Sequence, residues 1–101
     1  MSKRTLTISG DPDRAGKIAE VLKAVAHPIR LRIVALLCER PRNVSALATD
    51  LDTVPAIVSQ QLRILRSHGL VAARREDGFA TYRIVERNLR GLVTCMERCR
   101  R

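Results

Sequence analysis

Aromatic side chains are almost missing from this chain: it has no tryptophan, one tyrosine and one phenylalanine. A module that holds single-stranded RNA by base stacking needs an aromatic surface on a sheet. Phe79 and Tyr82 do not make one, and both are expected to be packing residues. Acidic residues are also scarce, 10 against 19 Lys and Arg, which gives a net charge of +9. A polyanionic partner accounts for such an excess. Sixteen of the basic residues are Arg, the side chain suited to bidentate contact with phosphate and guanine edges.

Long apolar runs are missing too. The longest, Ile33 to Cys38, has six residues, far short of the roughly 20 that span a bilayer. Lys3 and Arg4 are followed by no apolar run, so neither a signal peptide nor a membrane partner is expected. The expected location is the cytoplasm, where thiols are reduced. Cysteine is present in an odd number, three, which argues against a structural disulfide framework. The chain has no Gly-rich phosphate loop, no paired catalytic carboxylates and no Cys-His nucleophile arrangement. An enzyme is therefore not expected.

What is present reads as one domain of residues 11–101 behind a loose polar segment, residues 1–10. Asp11 and Pro12 start a first helix that runs to about Ala26, with Ala15, Ile18, Ala19, Leu22 and Val25 as its apolar stripe. Pro28 starts a second, ending near Glu39. One of its stripes is Ile29, Ile33, Leu36 and Leu37; the other is Leu31, Val34 and Cys38. A helix apolar on two sides is central. A short third helix covers Ser45 to Leu51. The fourth covers Pro55 to Ser67, with Val58, Leu62 and Leu65 inward.

His68-Gly69 ends that fourth helix, because Gly accepts the left-handed cap. Two strands follow, Leu70 to Arg75 and Ala80 to Val85, joined at Glu76-Asp77-Gly78-Phe79. A last helix starts near Glu86 and runs toward the end, with Leu89, Leu92, Val93 and Met96 as its stripe. That stripe suits either the core or a dimer seam. The order α-α-α-α-β-β-α, mainly helical with a β-hairpin wing, is that of a winged helix-turn-helix. In a basic chain it argues for reading duplex DNA.

These residues resemble the ArsR/SmtB family of bacterial winged-helix repressors. The likeness runs from about Ala19 to Arg98. It is carried by Leu22-Lys-Ala-Val-Ala-His27-Pro28-Ile-Arg-Leu-Arg-Ile33, Val44-Ser-Ala-Leu-Ala48 and Val58-Ser-Gln-Gln-Leu-Arg-Ile-Leu-Arg66, then by Gly69-Leu-Val71, Arg74-Arg-Glu-Asp-Gly78 and Tyr82-Arg-Ile84. Each piece alone is weak; all of them in order are strong. The resemblance implies a homodimer joined through its first and last helices. It also implies repression at a palindromic operator, with release by an inducer. The fourth helix would enter the major groove, and the wing a flanking minor groove or phosphates.

On that docking, Ser59 and Gln60 match the family's base-contacting pair, and Gln can hold adenine through two hydrogen bonds. Ala56 and Ile57 lie one turn earlier. Gln61 and Arg63 are expected to reach base edge or phosphate, and Arg74 and Arg75 lie on the wing. Because side chains alternate along a strand, at most one of those two arginines should face DNA. Arg83 is expected beside Glu76. Two departures stand out. Val54-Pro55 replaces a common Ser-Gln, leaving Thr53 as the expected cap, and Ile57 stands where Thr or Ser is common. Ile57 could touch a thymine methyl.

The family's metal sites can be tested by position. There is no His after His68, the start of the third helix reads Val44-Ser-Ala-Leu47, and Ile64 and His68 occupy the positions of a recognition-helix cysteine pair. What remains for sensing is Cys38, Cys95 and Cys99. If the last helix continues, Cys95 and Cys99 share a face with Cβ atoms about 6 Å apart. That spacing suits two thiolates on one soft ion. Arg98, Arg100 and Arg101 flank Cys99, and such charges favour thiolate.

Three readings stay open. In the first, arsenite or another thiophilic metal or metalloid ion is the inducer, and no cofactor is required for DNA binding. In the second, reactive sulfur or oxidants bridge Cys38 to Cys95 or Cys99. Family members of that kind carry one cysteine on each of those helices, and here both are displaced along them. In the third, the winged helix is a protein- or RNA-interaction module. Cys38 also fits a buried packing role. His27 is expected as a cap or surface residue, and His68 as a helix C-terminal cation.

Overall fold

The structure is a computed structural model, and residues 7–100 are described. Five helices and three strands follow one another as α1 (Pro12–Val25), α2 (Pro28–Glu39), β1 (Arg42–Asn43), α3 (Val44–Leu51), α4 (Pro55–Ser67), β2 (Val71–Glu76), β3 (Phe79–Ile84) and α5 (Asn88–Glu97). The expected elements are present, with one addition. The two-residue β1 extends the hairpin to a three-stranded antiparallel sheet of order β1-β3-β2. Two residues carry no readable periodicity, so the sequence hid it. Of the expected loose segment, residues 1–6 lie outside the described residues. Residues 7–10 form a turn in which the Gly10 and Asp11 N–H groups donate to the Thr7 and Ile8 carbonyls.

Local chemistry sets the helix starts. The Asp11 carboxylate accepts from the Arg14 N–H at 3.1 Å, with Pro12 in the first turn. His27 caps α2, its Nδ1 accepting from the Ile29 N–H at 3.1 Å. Asn43, not Ser45, marks the start of α3: its side-chain oxygen accepts from the Ala46 N–H at 2.8 Å. The expected cap on α4 is absent. Its N-cap is Val54, with no side-chain hydrogen bond, and Thr53 does not serve. The wing closes on Asp77 and Gly78 with φ of 50° and 83°, the doubly left-handed turn that matches strand twist.

The core lies between α2, α3, α4 and α5, with Ile33, Leu37, Leu47, Leu62, Leu65, Leu70 and Leu89 fully buried. The central place of α2 is as expected, since Ile33, Val34 and Leu37 are all buried. Its outer stripe departs from that: Leu31 is 40% exposed. On α1 only Ala24 and Val25 are buried, while Leu22 is 46% exposed. Met96 on α5 is likewise 46% exposed. Leu22, Val25, Leu31, Leu92 and Met96 line one apolar groove between α1, α2 and α5. An isolated chain leaves this groove to water.

One charge is buried. The Arg42 side chain is 5% exposed; its Nη1 donates to Asp50 on α3 at 2.6 Å and its Nη2 to Glu39 on α2 at 2.8 Å. Its Nε has no partner. Among the described residues, no helix is long and apolar enough to cross a membrane.

Candidate nucleic-acid interface

The angle between α3 and α4 is made by a tight turn. Asp52, in the left-handed region at φ 53°, closes α3, and the Thr53 N–H donates to the Ala48 carbonyl at 3.0 Å. Asp tolerates that region better than most residues. Val58, Leu62 and Leu65 then seat α4 on the core. The 3.6-residue period turns Ala56, Ser59, Gln60 and Arg63 to solvent, and all four are exposed. Ile57 sits at the edge of this face. Among the described residues, Ser59, Gln60 and Arg63 make no side-chain hydrogen bond or ion pair within the chain. Their polar atoms are available to a partner.

Gln61 is placed differently. It is half-buried, and its Oε1 accepts from Arg30 Nη1 at 2.9 Å. Arg30 is held in turn by the Ala24 carbonyl, at 2.5 Å from its Nε. Gln61 therefore ties α4 to α2, about 100° around the helix from Gln60. Reading α4 as one exposed polar run hid this, because the sequence did not place Arg30.

The register resolves the wing. Glu76 pairs with Phe79, Arg74 with Thr81 and Ala72 with Arg83. One face therefore carries Arg74, Glu76, Phe79, Thr81 and Arg83, and the other carries Arg75 with Val71, Tyr82 and Ile84. Arg74 and Arg75 point apart, as their adjacency requires, and both are exposed. Glu76 pairs with Arg74 at 3.9 Å, rather than with Arg83. Tyr82 packs against the core. Phe79 does not; it is 62% exposed. Parity could have revealed this, since residues 79 and 82 fall on opposite faces of one strand.

The cysteines sit in different surroundings. Cys38 lines a cleft with Glu39, Arg90, Thr94 and Glu97, and Arg90 Nη1 donates to the Cys38 carbonyl. Burial pushes the Cys38 thiol up, with Arg90 opposing and Glu97 reinforcing that shift. It is a protonated thiol at neutral pH. Cys95 and Cys99 are exposed, but they are not a helical pair. The α5 helix ends at Glu97, and the Cys99 N–H donates back to Met96 at 2.9 Å, a tightened last turn. Cys99 lines the apolar groove with Leu22 and Met96. Among the described residues, no three His, Cys, Asp or Glu side chains gather as metal ligands. His68 Nδ1–H donates to the Ile64 carbonyl at 2.9 Å beside the helix end, a capping role.

Known proteins share this arrangement. The family model described as "Bacterial regulatory protein, arsR family" matches residues 27–73, from the start of α2 into β2. The HTH-type transcriptional regulator Rv0081 of Mycobacterium tuberculosis is 42% identical over 76 residues, 74% of this chain and 67% of that one. The crystal structure of the transcriptional repressor BigR from Xylella fastidiosa superposes with a TM-score of 0.84 at 30% identity, covering 100% of both chains. A winged helix-turn-helix DNA-binding domain from Mycobacterium bovis, Mb0332, is homodimeric in solution; it is 36% identical, with a TM-score of 0.75 over 86% of this chain and 82% of that one. These relatives are regulators of transcription, not enzymes. The chain belongs to the ArsR family of bacterial winged helix-turn-helix transcriptional regulators.

Proposed function

We propose that the chain is an operator-binding repressor that acts as a homodimer. The observation that carries this reading is the outward face of α4: Ala56, Ser59, Gln60 and Arg63 stand exposed on a helix seated by three buried residues. Such a face reads base edges in a major groove. Arg74, Arg75 and Arg83 on the wing supply the charge for phosphates. Gln61 supports this face through Arg30 instead of adding to it. The apolar groove of Leu22, Leu31, Leu92 and Met96 supports dimerisation through α1 and α5, as does the homodimeric relative. A repressor of this kind works in the cytoplasm and needs no cofactor to bind DNA.

Replacing Gln60 by Ala should cost roughly 1–3 kcal/mol on the cognate duplex and little on unrelated DNA. Arg74→Ala should weaken both about equally, since a phosphate contact carries no sequence information. Fluorescence anisotropy on the two duplexes checks this. Equal losses on both duplexes for Gln60→Ala would remove α4 as the reader.

For control, we infer release by thiol chemistry at Cys38, Cys95 and Cys99. The inducer class is arsenite or another thiophilic ion, or reactive sulfur that bridges α2 to the C-terminal segment. Trivalent arsenic takes three thiolates, and no such trio is gathered among the described residues. The ion therefore requires the segment after Glu97 to rearrange, or a thiol from the second copy. The Cys38 cleft, lined by α5 residues, favours the bridge. A Cys95→Ser, Cys99→Ser variant should still bind DNA, yet no longer be released by arsenite or by polysulfide. In the wild type, mass spectrometry should find either arsenic across thiols or a sulfur bridge to Cys38. Release of the double variant as readily as wild type would leave these cysteines no sensing role.

A further inference from the structure

We propose that Phe79 is an uncharged DNA contact, its ring seated by the wing tip against the sugar and base edges of a minor groove. This rests on the operator-binding reading above and adds a contact that charge does not make. Phe79 is 62% exposed, more than any other large apolar residue among those described. The left-handed pair Asp77 and Gly78 holds it at the end of a closed hairpin, opposite Glu76. Residues 74–79 are all exposed, so this end of the hairpin stands clear of the core.

Charge does not hold this tip on a polyanion. Residues 74–79 contain two arginines and two acids, Glu76 and Asp77, and Arg74 already pairs with Glu76 at 3.9 Å. The tip is electrically balanced. The surface it offers a partner is the ring. Arg83 lies farther back on the face that carries Phe79, and Arg75 lies on the opposite face. That layout fits an edge entering a groove about 6 Å wide, with cations at its phosphate walls. Apolar side chains at such sites pack on sugars and partly unstack base steps.

The test uses the whole chain and a duplex selected by the wild type from a random pool. Phe79→Ala removes an exposed side chain, so folding should be unchanged by circular dichroism. Affinity should fall roughly tenfold, with the log–log salt slope unchanged because no charge is lost. Arg74→Ala, by contrast, should reduce that slope by about one. Hydroxyl-radical protection beside the α4 footprint should disappear in Phe79→Ala alone. If Phe79→Ala binds within about twofold of wild type while Gln60→Ala and Arg74→Ala both bind weakly, the operator reading stands and this contact is wrong. If all three bind like wild type, the operator reading fails and takes this contact with it. A Phe79→Ala protein with altered assembly mass and normal DNA affinity would make the ring an assembly contact and overturn the proposal.

Discussion

A fourfold rise in salt should weaken operator binding by about a thousandfold, a log–log slope near −5. The slope counts phosphates neutralised, about six for the complex. On each copy, Arg63, Arg74, Arg75 and Arg83 are exposed, and all but Arg74 are free of any acidic partner among the described residues. Two copies supply enough cations for that count without using every one. The net charge of +9 steers the encounter as well. A titration by anisotropy from low to moderate salt measures the slope directly. A flat response, or equal affinity for a scrambled duplex, would exclude specific binding to DNA.

The second large effect concerns assembly. A Leu22→Glu, Met96→Glu variant should be monomeric and should lose at least about 100-fold in operator affinity. Both side chains are 46% exposed in the single chain, so the charges meet water there and the fold should survive. In a dimer they would be buried without partners, at a cost that exceeds what such a seam gains. The lost affinity is that of two linked half-sites, typically about 10²–10⁴-fold. Sedimentation and circular dichroism separate assembly from folding. A variant that stays dimeric would place the seam elsewhere, and a monomer with full affinity would make dimerisation irrelevant to binding.

Much of this was legible because local rules agree. Asp11-Pro12, His27-Pro28 and Asp77-Gly78 each combine a residue type with a backbone need, and each appears where expected. The apolar period of α4 placed Val58, Leu62 and Leu65 inward. What escaped depends on neighbours far along the chain. Gln61 turns inward because Arg30, 31 residues earlier, meets it. Arg42 is buried because Glu39 and Asp50 bracket it. Cys99 leaves the line of Cys95 because α5 stops at Glu97, and no Gly or Pro announces that end. Phe79 was misjudged by residue type, when strand parity already opposed it to Tyr82.

The short strand β1 bears on how the chain folds. Arg42 and Asn43 pair with Tyr82 and Thr81, across a stretch that holds the entire helix-turn-helix. The reading head is thus enclosed in a loop of about 40 residues, whose closure costs entropy before any pairing is gained. The α3–α4 pair can form early, but its seat on α2 is completed only when β3 arrives and Tyr82 comes to lie beside Arg42. A ribosome-bound chain that has not yet released residue 84 would carry a reading helix without its full support. The wing is then as much the closing stitch of the domain as a limb that reaches outward.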